Sequence, residues 1–252
     1  DADPASITLQ GEAIEKDKIE ADALERAKAA AQKNISLYFI KAARDQKPDD
    51  ATRKTLDKLQ ADAVAATQVE RVDYLAGLPY SEVDRQVCQT MGAYYQGQAD
   101  SPVTLWPAEP TMWSHDTSPF ARPARAGDLK LHADMMIGEL EPVAFNVSNN
   151  TPEPVQVAVR AAGLGKWFPA AIEKRITTHV VSSGFLFFDD ALVPFGDNPV
   201  TIPAGMTRQV WLILNSQGVT AGDFTGTVTV EAAGQTSTIP LTATVYPVQM
   251  PA

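Results

Sequence analysis

Residues 202–247 read IPAGMTRQVWLILNSQGVTAGDFTGTVTVEAAGQTSTIPLTATVYP. Val210-Trp211-Leu212-Ile213-Leu214 is a dense run of strand formers between the turn Pro203-Ala204-Gly205 and the polar segment Asn215 to Gly218. Phe224, Gly226, Val228 and Val230 then alternate with Thr225, Thr227, Thr229 and Glu231. A period of two marks a half-buried antiparallel strand. Gly234-Gln235 turns the chain, and Ile239, Leu241, Ala243 and Val245 resume the alternation. Two alternating strands joined at a glycine predict a hairpin. The apolar density around Trp211 predicts that its indole is buried in the core. Gly222 is expected to turn the chain with a positive φ, and Gly226 to stay in the strand beneath a neighbour or at a bulge.

The pattern Ile202-Pro203-Ala204-Gly205, Gln209-Val210-Trp211-Leu212, Ala221-Gly222-Asp223-Phe224-Thr225-Gly226-Thr227-Val228 and the exit through Tyr246-Pro247 resembles a recurrent bacterial β-sandwich. Gly138-Glu139-Leu140-Glu141-Pro142-Val143-Ala144-Phe145 resembles the opening of the same module. That module precedes the catalytic (β/α)8 barrel in large secreted glycoside-hydrolase-like proteins, including those similar to family 123 N-acetylgalactosaminidases. The likeness runs from about Leu129 to Pro251. It implies a supporting or glycan-binding role beside a catalytic barrel, and a secreted, periplasmic or cell-surface location. By the same likeness, the barrel is expected to begin where these residues stop.

Composition sets outer bounds. The 252 residues suit two modest domains or one large one, and 44% hydrophobic content is ample for a core. The net charge is −10, from 31 acidic and 21 basic residues, with no basic cluster. A nucleic-acid backbone or an anionic membrane is therefore a poor partner. No apolar run reaches the length of a membrane span. Cys88 is the single cysteine, so an internal disulfide and a cysteine metal cage are both excluded. On an amphipathic helix it reads as a small buried hydrophobe. Asp1-Ala2-Asp3-Pro4 reads as a mature terminus left by cleavage of a leader.

The first ninety-six residues read as helical. Gly11 to Arg44 is rich in Ala, Glu, Lys and Gln, which lose little side-chain entropy in a helix. Leu24, Ala27, Ala31, Ile35, Tyr38 and Ala42 would form its apolar stripe. Lys47-Pro48-Asp49-Asp50 ends it and offers an aspartate cap for a second helix over Ala51 to Ala76, with Leu56, Leu59, Ala63 and Ala66 as seam. Gly77-Leu78-Pro79 stops that helix. Ser81 and Asp84 then form a capping pair for a third, with Val83, Val87 and Met91 inward. An intramolecular hairpin is favoured over a coiled coil, because the alanine-rich seam buries too little area between chains.

Residues 97–127 carry five prolines together with Trp106, Trp113 and Phe120, and read as an extended connector strapped onto the sandwich. From 128 to 252 the turn signals separate seven or eight strands. Within them Asp189-Asp190 to Asn198-Pro199 reads as a long acidic loop. The fold class is therefore α+β: an N-terminal helical hairpin or bundle (1–96), the connector (97–127) and an antiparallel Ig-like β-sandwich (128–252).

Four constellations could carry chemistry. Trp106, Trp113, Trp167 and Phe168 could stack sugar rings, or could seal the connector onto the sandwich. Asp189, Asp190 and Asp197 with Asn198 offer oxygen ligands of the kind calcium takes, or serve as turn formers. Glu139 and Glu141, two apart on a strand, would share a face about 7 Å apart as a carboxylate pair. The bland alternative is a solvated strand surface. His115, His132 and His179 sit on separate segments, and the neighbours Ser114, His115 and Asp116 do not amount to triad geometry. No Walker A run, dinucleotide fingerprint or Gly-x-Ser-x-Gly elbow exists.

No cofactor is implied beyond a structural calcium. The sequence supports three readings. The first is a non-catalytic accessory module of a secreted glycoside-hydrolase-like protein, partnered with a barrel or a polysaccharide. The second is an extracellular lattice or fibre subunit that self-assembles through an exposed sheet edge. The third is an independent hydrolase with its cleft in the sandwich.

Overall fold

The computed structural model describes residues 16–66, 77–108, 118–123, 128–165, 172–181 and 187–251. Three helices, α1 (Lys16–Asp45), α2 (Asp50–Ala65) and α3 (Glu82–Gln96), precede two five-stranded sheets. One sheet is ordered β1 (Val103–Ala108), β3 (Leu140–Asn149), β8 (Thr207–Asn215), β5 (Ile172–Val181) and β6 (Phe187–Pro194). The other is ordered β2 (Leu131–Ile137), β10 (Gln235–Gln249), β9 (Gly222–Ala232), β4 (Val155–Ala162) and β7 (Val200–Ile202). The fold class is α+β with a β-sandwich. All pairings are antiparallel except β2 with β10, which run parallel from Leu131↔Leu241.

The β9–β10 hairpin predicted from alternation is present, with Ala232 and Gln235 closing it and Val245 opposite Gly222. Val228, Val230, Ile239, Leu241, Ala243 and Val245 face the other sheet and are buried. Across from them lie Val143, Phe145, Val147, Val210, Leu212 and Leu214. Non-directional burial of these aliphatic faces, worth roughly 1.5–3 kcal/mol per large side chain, holds the sheets together.

Several expectations are corrected. Trp211 is not a core residue. Strand alternation buries Val210, Leu212 and Leu214 and turns Trp211 to the opposite face, half-buried, where its Nε1 donates to Gln209 Oε1 at 2.5 Å. The segment read as an acidic loop is a strand for its first half, since β6 runs from Phe187 to Pro194. The expected connector is partly sandwich: β1 pairs antiparallel with β3 from Val103↔Asn149 to Ala108↔Ala144. Glu139 lies in the turn before β3, so it does not share a strand with Glu141.

In the helical layer α2 ends at Ala65, well before Ala76, and residues 67–76 lie outside the described residues. The buried stripe of α1 is Gln32, Ile35, Ser36, Phe39, Ile40 and Ala43. Leu24 and Tyr38, placed in the stripe by spacing, are exposed: Leu24 lies in the unpacked first half of α1, and Tyr38 in the packed half points away from the face that buries Phe39. Leu56, Leu59, Ala63, Val87, Met91 and the lone Cys88 are buried as expected. Asp49 caps α2, accepting from Thr52 N at 2.8 Å. Ser81 and Asp84 form a complete capping box on α3.

Candidate functional site

The most heavily built polar site lies where the helices meet the end of the sandwich. It centres on Arg122, in a short ordered segment around Phe120. Every N–H of the guanidinium is used. Nε donates to Asn150 Oδ1 at 3.0 Å, Nη1 to Ala121 O and Thr207 Oγ1, and Nη2 to Asn149 O at 2.8 Å and Gly205 O at 2.9 Å. The guanidinium carbon lies 3.7 Å from the centre of the Tyr95 ring, a cation–π contact. Burial pulls the Arg122 pKa down to about 10. It also pushes the Tyr95 phenol up to about 12, while the hydroxyl donates to Phe120 O at 2.9 Å.

The backbone closes around this arginine. Thr207 donates its amide to Pro119 O and its hydroxyl to Ala121 O, and Asn149 Nδ2 reaches the carbonyls of Glu153, Ile202 and Pro203. Phe120, Ala204 and Met206 pack into the helical core beside Phe39 and Met91. An arginine with five satisfied donors fixes geometry and leaves nothing for a ligand. This is a structural joint. Sequence reading missed it because a single arginine in a proline-rich segment has no periodicity, and Asn149-Asn150 read only as a turn.

A second buried polar group sits on α3. Asp84 accepts from Ser36 Oγ at 2.6 Å and from the amides of Tyr80 and Ser81 at 3.1 and 3.0 Å. Burial raises its pKa, and those hydrogen bonds oppose the rise. Burial, then the nearby Asp84 charge, pushes the Cys88 thiol well up, so it is no nucleophile.

The proposed aromatic platform is described at one residue only. Trp106 lies on β1, half-buried, and donates from Nε1 to Ser148 Oγ at 2.8 Å. Trp113, Trp167 and Phe168 lie outside the described residues, as do Ser114, His115 and Asp116. His132 is exposed on β2, and His179 is buried on β5.

The acidic residues are not gathered by the described backbone. Asp197 pairs with Lys174, Oδ1 to Nζ, at 2.6 Å, and this partner holds its pKa low. Only the backbone of Asp189 and Asp190 is described, in β6 opposite His179 and Thr178. Four to five residues of β5 separate those positions from Lys174, about 14 Å along the strand. Among the described residues no group of three His, Cys, Asp or Glu side chains is placed to hold a metal ion. Burial, followed by repulsion from Glu139 and Asp134, raises the Glu141 pKa. Glu139 is meanwhile occupied, its Oε2 accepting from Met136 N at 2.6 Å.

Two clefts accompany these groups. One of about 430 Å³ separates the helical layer from the sandwich flank and is lined by Leu78, Pro79, Ile176, Val193, Val200 and Arg208. The other, about 600 Å³, lies between the start of α2 and the end of α3 and is lined by Thr52, Thr55, Thr90, Tyr94 and Gln98. Asp49 also lines the second, where its carboxylate is taken up in capping α2.

No protein-family model matches the sequence, and no curated protein matches it. Among solved structures the chain is similar to a family 123 glycoside hydrolase from Clostridium perfringens, at 12% identity and a TM-score of 0.50, covering 60% of this chain and 28% of that one. The chain therefore spans little more than a quarter of that enzyme's length. It also matches the CooA pilin subunit of enterotoxigenic Escherichia coli at 14% identity and TM-score 0.33, over 58% of this chain and 100% of that one. At such identities the likeness to the glycoside hydrolase is one of fold. Among the described residues no helix is long and apolar enough to cross a membrane.

Proposed function

We propose that this chain is a non-catalytic accessory module of a secreted glycoside-hydrolase-like protein, whose work is to brace a catalytic barrel. The observation that carries the reading is the exposure of four large apolar side chains: Leu140 on β3, Tyr246 and Val248 on β10, and Met250 just after it. The backbone at Met250 is tied to β2, its N donating to Ile137 O at 2.8 Å. Exposed large apolar groups on a sandwich suit a neighbouring domain. The fold likeness to a family 123 glycoside hydrolase supports the same reading. The Arg122 joint fits a brace, because it fastens the helices to the sandwich as one body.

In this reading the chain alone does not hydrolyse glycans. Glycoside hydrolysis needs two carboxyl groups facing each other across a cleft, and among the described residues neither of these two clefts is lined by such a pair. Incubation of the chain with aryl glycosides and amino-sugar oligomers tests this directly. We expect no turnover above the buffer rate, and measurable turnover overturns the reading. Glycan binding is a subsidiary role to be tested at Trp106, by titrating the same oligomers against indole fluorescence in wild type and Trp106→Phe.

A further inference from the structure

Each sheet ends in two edge strands, and three of the four edges carry a feature that discourages strand addition. β1 contains Pro107. β6 carries Asp189 and Asp190 in mid-strand, ends in Pro194, and shifts register against β5 between Ile176 and Thr178. β7 is three residues long. Proline, edge charge, bulges and brevity are the usual protections of an open edge. β2 has seven residues, LHADMMI, with no proline and no glycine. It pairs with β10 on one side; among the described residues no strand pairs with its other side, where Met136 N and O are already engaged by Glu139 and Ser216 and the backbone before them is open.

We propose that the outer edge of β2 is a self-association surface, at which β2 of a second copy adds antiparallel about a two-fold axis through Ala133. Strand chemistry selects both occupant and register. Directly opposite residues in an antiparallel pair share a face, so the register moves in steps of two. The full-length register sets Asp134 against Asp134 of the second copy, and like charges directly opposite repel. One step back, His132 comes opposite Asp134 at both symmetric positions. Both side chains are about half exposed and already interact within one chain, Nε2 to Oδ2 at 3.3 Å. On the inward face the same register sets Leu131 against Met135 and Ala133 against itself, all buried residues that would extend the core pattern. β2 is thus complementary to its own copy in imidazole–carboxylate pairing on one face and in apolarity on the other. The two surfaces adjoin, since Tyr246 donates its hydroxyl to Asp134 Oδ1 at 3.0 Å, but the register argument uses only β2 and does not rest on the accessory role.

Sedimentation equilibrium of the full chain, with thermal melts of each variant in dilute solution, tests the proposal. Wild type should show a concentration-dependent monomer–dimer equilibrium. His132→Asp places two carboxylates opposite each other at both positions and should weaken the dimer by roughly tenfold or more. The exchange His132→Asp with Asp134→His restores a histidine–carboxylate pair at both positions and should restore association. Should His132→Asp fail to fold, Asp134→Lys reads the same contact by setting a lysine opposite His132. A wild type that stays monomeric at the highest concentration overturns the proposal. So does a dimer that both charge variants leave unchanged, or an exchange variant that folds and remains monomeric.

Discussion

The backbone of Gly205, in the turn before β8, lies against that of Gly92 in α3 so closely that a Cβ on Gly205 would fall 2.6 Å from Gly92 N. Gly205 also holds a positive φ of 62°, which suits glycine at that turn. From the other side, a Cβ on Gly92 would meet Thr151 O at 2.1 Å and Pro152 Cα at 2.8 Å. Two glycines therefore set the distance between the helical layer and the sandwich.

Gly92→Ala sets two effects against each other. Alanine in a helix interior gains about 1 kcal/mol over glycine. The methyl group, however, would overlap backbone atoms that cannot rotate away, and overpacking costs about 1–3 kcal/mol or more. The clash should win, with a net loss of about 1–2 kcal/mol in a urea titration. Gly205→Ala should lose at least as much, through clash and positive φ together. A stabilised Gly92→Ala would show that the layers can separate at little cost.

The Arg122–Tyr95 contact predicts a response to alkali. The folded-state pKa of Tyr95 is raised from 10.0 to about 12, so its contribution is fully present below pH 10 and is lost as pH rises toward 12. Two pKa units correspond to about 2–3 kcal/mol. Arg122, with its own pKa lowered to about 10, titrates in the opposite sense over the same window. The tyrosine is therefore read by difference. Between pH 9 and 12, wild type should lose stability relative to Tyr95→Phe, and parallel curves would remove the phenol from the account.

The sandwich was legible in the sequence because its strands alternate: Val228, Val230, Ile239, Leu241 and Ala243 are buried at the positions that period two assigns. Trp211 was misplaced because a five-residue apolar run hides the alternation, and side-chain size says nothing of which face a strand position takes. The α1 stripe is right at Ile35 and Ala42 but slips at Tyr38, whose neighbour Phe39 takes the buried position, and at Leu24 in the exposed first half. The joint could not be read at all. Arg122, Asn149, Asn150 and Thr207 meet only through tertiary structure, with hydrogen-bonded partners up to 85 positions apart in sequence.

Lys174 is buried on β5, with its Nζ donating to Val159 O of the facing sheet at 3.1 Å and to Asp197 at 2.6 Å. Lys174→Met keeps the stem and removes the ammonium, leaving the Val159 carbonyl without this donor at a cost of about 1–3 kcal/mol. Asp197 has a lowered pKa, so its contribution is present above the unfolded value of 3.8 and is lost as pH falls below it. Asp197→Asn should therefore flatten part of the acid limb of stability. Because Lys174 occupies this carboxylate, calcium should not raise the thermal midpoint of wild type, and a rise that Asp197→Asn abolishes would place the ion there.

Gly222 and Gly226 sit four residues apart on β9 and should fail for different reasons. Gly222 has a φ of 154° and open space around the position of a Cβ. Gly222→Ala should therefore cost about 1 kcal/mol or more through backbone strain alone. A Cβ on Gly226 would fall 2.6 Å from Ala162 O and 3.0 Å from Leu164 Cγ, while Gly163 crosses it so tightly that its own Cβ would lie 3.1 Å from Gly226 Cα. Gly226→Ala should cost about 1–3 kcal/mol through overpacking. A Leu164→Ala background separates the two causes. Truncating Leu164 makes room on one side of residue 226, so the cost of Gly226→Ala should fall there, with the remainder due to the fixed Ala162 carbonyl. Nothing near Gly222 changes, so its cost should add to that of Leu164→Ala within about 0.5 kcal/mol. Equal costs for Gly226→Ala in both backgrounds would assign the whole penalty to the β4–β9 backbone approach and none to the leucine.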